Sequence, residues 1–306
     1  MRTHKKLTTK RGFTLMELMV AMAITTIIVS VLVSITSIAL ETWNRSRAEL
    51  RASRQAKAMI EVMASDFESM VIRSGNTSEW LVANANPSGV DAGSKLVSSN
   101  YARLIFFTAA TDRYDGDVGG DTDEGGDVSC VGYGLEYRDP IETNGEFKTY
   151  VLNRRLVNPD VAFTSLLGEE DLESAFSSYT SDLSDSDWFV CENVYQFTIT
   201  FYVEVAETSG SSTEYKTVPI TVGRSSDSSV TSEFSIKGTG IEASGYTGSE
   251  DISSGRLSSM ELSVTVLTDY AVDQVRRGAG FADANEAEFI SKNSFHFSKV
   301  VELPSM

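Results

Sequence analysis

The sequence predicts an α+β fold in which one long N-terminal helix packs on a mostly antiparallel β-sheet head. Two observations support this prediction. Residues 13–40 form an unbroken apolar run that continues into an amphipathic segment, and most of the remaining chain consists of short alternating strand patterns. The chain has 306 residues, enough to bury a sizeable core, and its hydrophobic content of 41% is ordinary for a folded protein.

The apolar run, residues 13–40, contains a single charged residue, Glu17. At about 1.5 Å per residue, a helix of this length exceeds the ~30 Å hydrocarbon core of a bilayer. No small-residue cleavage site follows it, as one would in a secretory signal. We therefore predict a retained, single-pass membrane helix. The basic residues within positions 2–11 favour a cytoplasmic N-terminus, whereas the basic residues between 45 and 57 oppose that charge bias.

The helix is predicted to continue beyond the membrane as an amphipathic half over residues 41–73. This segment contains no Pro or Gly, and Gly75 provides a stop signal just after it. Its apolar residues recur at spacings of three and four, which predicts a stripe that packs against a folded head. The stripe consists of Ala52, Ala56, Met59, Ile60, Met63, Phe67, Met70 and Val71.

Residues 74–306 are predicted to form the head. Its strand patterns lie at 101–108, 128–138, 147–156, 188–206, 215–222, 259–268 and 295–303. Alternation is cleanest in the fourth pattern, whose inward face is predicted to carry Tyr195, Phe197, Ile199, Phe201, Val203 and Val205. Short helices are predicted at 168–178 and 284–292. Three stretches are predicted to be loops: 74–100, 111–127 and the Ser- and Gly-rich 223–256.

The segment KRGFTLMELMVAMAI, Lys10 to Ile24, resembles the class III signal of type IV pilins and type II secretion pseudopilins. The match consists of a basic leader, Gly12, Phe13, Glu17 at the fifth mature position, and an apolar helix. The resemblance implies that residues 1–12 are a leader, removed by a membrane prepilin peptidase between Gly12 and Phe13. It also implies N-methylation of Phe13 by the same enzyme.

The same resemblance implies partners and a location. Other pilin-like subunits would contact the N-terminal helix, and an inner-membrane platform would assemble them into a filament. The head would lie on the periplasmic side of the inner membrane. The globular part resembles a J-type minor pseudopilin, and three segments resemble Verru_Chthon cassette protein C: residues 106–117, 126–141 and 261–278.

Glu17 also has a physical interpretation that does not depend on the family. A carboxylate near one end of an apolar helix is costly and needs a partner or a function. After cleavage at Gly12, a new α-amino group lies four residues away on Phe13. In a staggered bundle, the carboxylate of one subunit can pair with the amine of its neighbour and set the axial register. The simpler alternative is that Glu17 reaches the cytoplasmic headgroups.

Function is left with three alternatives. The first is a structural subunit of a type II secretion pseudopilus or related filament. The second is a minor pilin or adhesion subunit of a type IV pilus. The third, from another class, is a membrane-tethered hydrolase, which the lack of nucleophile motifs and the two histidines, His4 and His296, disfavour. The net charge of -17 disfavours nucleic acid as a ligand.

An acidic, Gly-rich stretch at 112–127 is a candidate calcium loop. Calcium prefers six to eight oxygen ligands from a flexible segment. The candidate ligands are Asp112, Asp115, Asp117, Asp121 and Asp123. The spacing does not match an EF-hand, so a solvated acidic loop is the favoured alternative, and no cofactor is predicted.

Two smaller features leave alternatives open. Cys130 and Cys191 lie on predicted strands and are either buried free thiols or a disulfide. Asp139 and Glu142 flank Pro140 and could act as an acid/base pair, but a turn explains them adequately.

Overall fold

The computed structural model describes residues 13–85, 90–91, 96–98, 102–109, 126–141, 145–179, 189–209, 212–223, 227–277 and 283–303. The chain divides into two compact units, Met1–Leu50 and Arg51–Met306. We refer to the second unit as the head. Helix α1 spans Leu15–Glu68 and contributes residues to both units.

The head contains strands and short helices in mixed order. From the N-terminal side these are β1 (Glu79–Ala85), β2 (Val90–Asp91), β3 (Val97–Ser98), β4 (Ala102–Thr108), β5 (Ser129–Arg138), β6 (Thr149–Val157), α2 (Pro159–Ser165), α3 (Leu172–Phe176) and β7 (Phe189–Glu192). The remaining elements are β8 (Val194–Ser209), β9 (Ser212–Val222), β10 (Val230–Thr231), β11 (Glu233–Lys237), β12 (Gly240–Ser244), β13 (Arg256–Leu267), α4 (Asp269–Arg276), α5 (Asp283–Asn293) and β14 (Ser294–Glu302).

The strands form two main sheets. A seven-stranded antiparallel sheet has the order β12-β11-β1-β4-β5-β6-β7. A five-stranded sheet has the order β10-β9-β8-β13-β14, and its β9–β10 pair is parallel whereas the others are antiparallel. The two-residue strands β2 and β3 pair with each other. The predicted α+β class, a long N-terminal helix on antiparallel sheets, is confirmed.

The main core lies between the two sheets and the C-terminal part of α1. Phe201 of the five-stranded sheet stacks on Phe234 of the seven-stranded sheet, with 4.0 Å between ring centroids. Phe67 of α1 stacks on Phe106 of β4 at 4.3 Å. The opposite face of the seven-stranded sheet packs against α2 and α3 through a second cluster that includes Phe107. Aromatic stacking therefore joins α1 and the two sheets, and apolar packing joins α2 and α3 to the opposite face.

Every predicted strand segment coincides with an observed strand, and the inward face of β8 is confirmed. All six residues named for that face are buried in the main core. The predicted segment 188–206, however, is not one strand. It divides at Asn193, whose φ of +64° ends β7 in one sheet and allows β8 to begin in the other. Asn tolerates this left-handed conformation better than most residues, because its short polar side chain can bond locally.

Three loop and helix predictions are wrong. Helix α1 ends at Glu68 rather than near residue 73, because Met70 already pairs with Thr108 in an isolated β-bridge. The predicted loop 74–100 contains strand β1, and the predicted loop 223–256 contains β10, β11 and β12. The composition of these segments favours loops, but pairing with neighbouring strands provides their backbone hydrogen bonds.

The short helices are explained by local capping. Predicted helices 168–178 and 284–292 correspond to α3 and α5, whereas α2 and α4 were not predicted. Asp171 accepts a hydrogen bond from the Ser174 N–H at 2.8 Å and caps α3. Thr268 accepts one from the Ala271 N–H at 3.2 Å and caps α4, and α2 begins with Pro159. A side-chain cap and a Pro in the first turn are both sequence signals for a helix start.

Candidate functional site

The N-terminal end of α1 forms a capping box. The Glu17 carboxylate accepts hydrogen bonds from the Thr14 backbone N–H and from the Thr14 hydroxyl, both at 2.9 Å. The Thr14 hydroxyl in turn accepts one from the Glu17 N–H at 3.3 Å. Thr14 thus occupies the N-cap position and Glu17 the third helical position, the spacing of a reciprocal cap. The T-x-x-E spacing of Thr14 and Glu17 is a local sequence signal for this cap.

The residues after the cap expose a continuous apolar surface. Phe13 is 89% exposed. The large apolar side chains from Leu15 to Leu40 are between 49% and 76% exposed. Among the described residues, α1 is the helix that is long and apolar enough to cross a membrane. Several of its hydroxyl groups are satisfied within the helix; for example, Thr26 and Ser34 donate to the carbonyls of Met22 and Ser30 at 2.8 and 3.0 Å. An apolar environment therefore meets few unsatisfied polar groups along this helix.

Within the head, the C-terminal part of α1 is held by a buried ion pair. Asp66 is 5% exposed, and it accepts hydrogen bonds from Arg154 Nε at 2.7 Å and Arg154 Nη2 at 2.9 Å. The Tyr133 hydroxyl donates to the same carboxylate at 2.5 Å. Burial, and then the neighbouring Asp66 charge, raises the pKa of Tyr133 well above its usual value, so this phenol stays a donor. The bidentate Arg154–Asp66 contact fixes the end of the helix on β5 and β6.

A second polar contact holds the first turn of α1 within the head. Arg51 donates to Asp269 at 2.9 Å and to Glu192 at 3.2 Å, and Gln55 donates to Glu192 at 2.9 Å. Asn193 donates to Asp269 at 3.1 Å, so the same carboxylate bridges α1, α4 and the β7–β8 junction. The Arg51 and Asp269 side chains are each 58% exposed, so this ion pair positions the helix more than it stabilises it.

Several predicted site residues lie outside the described residues. Gly12, on the N-terminal side of the predicted cleavage site, is one of them. The calcium candidates Asp112, Asp115, Asp117, Asp121 and Asp123 are the others, together with Glu142 and His4. Within the part of the chain that the structure describes, no group of three or more His, Cys, Asp or Glu side chains could hold a metal ion. The calcium loop stays a prediction.

Cys130 and Cys191 are both buried free thiols, so the disulfide alternative is wrong in this structure. The two residues lie on strands of the same sheet but on opposite faces. Cys191 belongs to the main core and Cys130 to the cluster beneath α2 and α3. Burial raises the pKa of Cys191 to about 12, and it raises the pKa of Cys130 well above the usual value.

The remaining polar candidates have structural roles. The Asp139 carboxylate accepts hydrogen bonds from the N–H groups of Ile141 and Gly145 at 3.2 and 3.0 Å, so it organises the turn as expected. His296 lies on β14, where its ring nitrogens contact the hydroxyls of Ser263 and Thr265 at 3.2 and 3.4 Å.

Comparison with known proteins identifies one matching family model. Residues 7–33 match the prokaryotic N-terminal methylation motif, which includes Gly12, Phe13 and Glu17. No curated protein matches this chain. Among solved structures, the chain is similar to a type IV-like pilin from Thermus thermophilus, at 8% sequence identity and a TM-score of 0.31. That match covers 83% of this chain and 96% of the other.

Proposed function

We propose that this chain is a pilin-like structural subunit that assembles through its N-terminal helix into a type II secretion pseudopilus or a related filament. One observation carries the proposal: the methylation motif over residues 7–33 leads directly into an exposed apolar helix with a single carboxylate near its start. A prepilin peptidase cuts between Gly12 and Phe13 and methylates Phe13. The protein is then held in the inner membrane with its head on the periplasmic side.

Assembly depends on the environment of Glu17. In the single chain its carboxylate bonds to Thr14, and this contact satisfies it only in part, because a carboxylate has about four acceptor sites. Cleavage creates a positive amine on Phe13, and in a bundle of such helices this amine meets the Glu17 of a neighbouring subunit. Two charges in a low-dielectric interior attract strongly, and this attraction offsets the cost of burying them.

We propose that the head has a structural rather than a catalytic role and is held on α1 by polar contacts. The two polar contacts at Arg51 and Asp66 lie at the first and last turns of the α1 segment within the head. These contacts join this segment of α1 to the seven-stranded sheet and to α4. We propose a minor, J-type role, in which a few copies of the chain join a filament that other subunits extend. Genes adjacent to its own distinguish a secretion operon from a type IV pilus operon.

The first test is the intact mass of the protein extracted from membranes of its native cells. We expect a chain that begins at Phe13 and carries one additional methyl group, because the peptidase both cleaves and methylates. A species that retains Met1 and the leader in those cells contradicts the proposal.

The second test replaces the carboxylate. Glu17→Ala should leave the protein in the membrane fraction, because the substitution makes the helix more apolar. It should abolish co-purification with other pilin-like subunits, because the pairing with the neighbouring amine is lost. Glu41→Ala, at the other end of the apolar run, is the matched control and should retain those partners. Equal co-purification of both variants would show that Glu17 has no role in assembly.

A further inference from the structure

Four charged residues follow one another at a spacing of seven along α1: Arg47, Arg54, Glu61 and Glu68. In a continuous helix, residues at this spacing lie close to a single line along the axis, because seven residues make nearly two turns. The line is basic in its first half and acidic in its second. We refer to these four residues as the charged stripe.

From Arg54 to Glu68, the charged stripe lies on a face of α1 that the head leaves uncovered. All four residues of the stripe are exposed. Neighbouring positions on this face, Ala58 and Ser65, have small, exposed side chains, so a second helix can approach closely. The head packs on α1 through a different set of residues, which are buried: Ala52, Ala56, Met59, Ile60, Met63, Ala64 and Phe67.

Most of the charge on the stripe is unpaired. Among the described residues, Arg47, Arg54 and Glu68 form no ion pair. Glu61 contacts Lys57 at 3.8 Å, but the two side chains are 59% and 76% exposed, so this pair is weak. Free cations in one half of the stripe and free anions in the other can therefore pair with a second molecule.

The order of the charges favours one arrangement of two parallel copies of α1. With no displacement, all four stripe residues face like charges. A displacement of seven residues gives one attractive and two repulsive contacts, and one of 21 residues gives a single attractive contact. A displacement of 14 residues gives two attractive contacts, Arg47–Glu61 and Arg54–Glu68, and no repulsive one. Because like charges at an interface are unfavourable, this is the displacement that charge favours most.

We propose that the charged stripe binds the charged stripe of a second copy of this chain, parallel to it and displaced by 14 residues, or about 21 Å along the axis. Arg47 and Arg54 of one copy pair with Glu61 and Glu68 of the other. This inference rests on the proposed function, because a filament is what brings copies of α1 side by side. It adds a like partner and a defined displacement to that function.

The membrane anchor selects the parallel arrangement. An antiparallel pair would also match the charges, since Arg47 would meet Glu68 and Arg54 would meet Glu61. Both copies, however, enter the membrane by the same end, so their helices run in the same direction. Two copies at the same depth in the membrane face like charges, so the contact forms only when one copy has moved outward by about 21 Å.

The ion pairs determine the displacement more than the affinity, because exposed pairs contribute little free energy but fix the register of an interface. The contact at Glu17 requires a smaller displacement, of about four residues or 6 Å, because Phe13 of one subunit meets Glu17 of the other. A helix in a bundle has several neighbours, so the two contacts join α1 to different subunits.

The test is disulfide crosslinking in native cells that express the full-length chain. Asn44→Cys and Ala58→Cys are combined in one chain, since both positions are exposed and a displacement of 14 residues brings them level in two copies. Within one chain they lie about 21 Å apart along α1, so a disulfide forms only between copies. We expect a crosslinked dimer of this double variant. The unaltered chain, whose two thiols are buried, is the blank.

The single variants test the register. Asn44→Cys alone crosslinks only copies that are not displaced, and Ala58→Cys alone crosslinks only copies that are not displaced or are antiparallel. Neither single variant should therefore give the dimer.

Charge reversal tests the ion pairs. In the double-cysteine chain, Arg54→Glu should lower the dimer yield about threefold or more, because it places like charges opposite each other. Adding Glu68→Arg should restore the yield, because the pair forms again with its charges exchanged. The matched control is Lys299→Glu, the same change of charge at an exposed position on β14, which should leave the yield unchanged.

Four results would overturn the inference: no dimer in processed protein, single variants that crosslink as well as the double variant, an unchanged yield in Arg54→Glu, or a loss that Glu68→Arg does not restore. The intact mass of the same sample separates the two proposals. A chain that still carries its leader contradicts the proposed function, whereas a processed chain without the dimer contradicts only this inference.

Discussion

At the scale of single residues, Asp66 joins the end of α1 to the seven-stranded sheet. It is buried at the end of α1, and both of its charged or polar partners come from strands far along the chain, Tyr133 and Arg154. A buried carboxylate is costly unless hydrogen bonds and an opposite charge compensate for lost water. Here both are present, and the carbonyl oxygen of the same residue also accepts from Thr108 at 2.7 Å. Asp66 therefore connects the helix to three adjacent strands of one sheet.

Replacing Asp66 should destabilise the head strongly. Asp66→Ala removes the acceptor used by both Arg154 and Tyr133, and breaking a buried ion pair in this way costs about 3–5 kcal/mol. We expect this loss in guanidinium unfolding of the full chain in detergent, followed by tryptophan fluorescence. Asp66→Asn should lose less, because its amide oxygen still accepts a hydrogen bond.

The matched control is Glu68→Ala, an exposed carboxylate two residues along the same helix turn. Its effect should stay within about 0.5 kcal/mol, as is usual for exposed positions. Similar losses at Asp66 and Glu68 would show that the ion pair does not hold the helix.

At the scale of elements, the junction between β7 and β8 determines how the two sheets connect. Asn193 adopts a φ of +64°, and both the oxygen and the nitrogen of its side-chain amide form a hydrogen bond. The amide oxygen accepts from the Thr149 hydroxyl at 2.6 Å, and the amide nitrogen donates to Asp269. Its carbonyl oxygen accepts from the Leu267 N–H at 2.8 Å. Asn193 thus changes the direction of the chain and forms hydrogen bonds with β6, β13 and α4 at the β7–β8 junction.

Substitution of Asn193 should separate backbone strain from hydrogen bonding. Asn193→Ala loses both side-chain bonds and places in the left-handed region a residue that tolerates it less well than Asn, so we expect a loss of about 1–3 kcal/mol. Asn193→Gly loses the same bonds without strain and should be less harmful than Ala. Glu207→Ala, exposed on β8, is the control for unfolding in the same denaturant series. A larger loss for Gly than for Ala would exclude strain as a cause.

At the scale of the whole head, the seven-stranded sheet separates two hydrophobic cores, one on each of its faces. Cys191 lies in the core shared with α1 and the five-stranded sheet, and Cys130 lies beneath α2 and α3. Side chains on opposite faces of a sheet point away from each other, so the two thiols cannot approach across it. The layered arrangement therefore excludes a bridge between the thiols, whatever the redox state of the compartment.

The layered arrangement predicts how the thiols react. In the folded chain at pH 8, neither thiol should react with a thiol-specific reagent, because both are buried and their raised pKa values leave almost no thiolate. In guanidinium, both should react without prior reduction. A chain that shows no free thiol after unfolding would contain a disulfide and would contradict this prediction.

The sequence alone determined the features that depend on neighbouring residues. These are the apolar N-terminal helix, the motif around Glu17, the capped starts of short helices, and the alternating face of β8. Each depends on spacings of two to four residues, which are visible along the chain. For the same reason the T-x-x-E spacing of Thr14 and Glu17 is a local signal that could have predicted the cap, whereas only assembly and contact with lipid headgroups were considered for Glu17 from the sequence.

Only the tertiary structure decided which segments pair and which groups meet. Strands β11 and β12 lie in a Ser- and Gly-rich stretch, and they are strands because β1 offers them hydrogen-bond partners. Asp66 meets Arg154 across 88 residues of the chain. No local pattern encodes such contacts, because their free energy is gained only when distant segments are packed together.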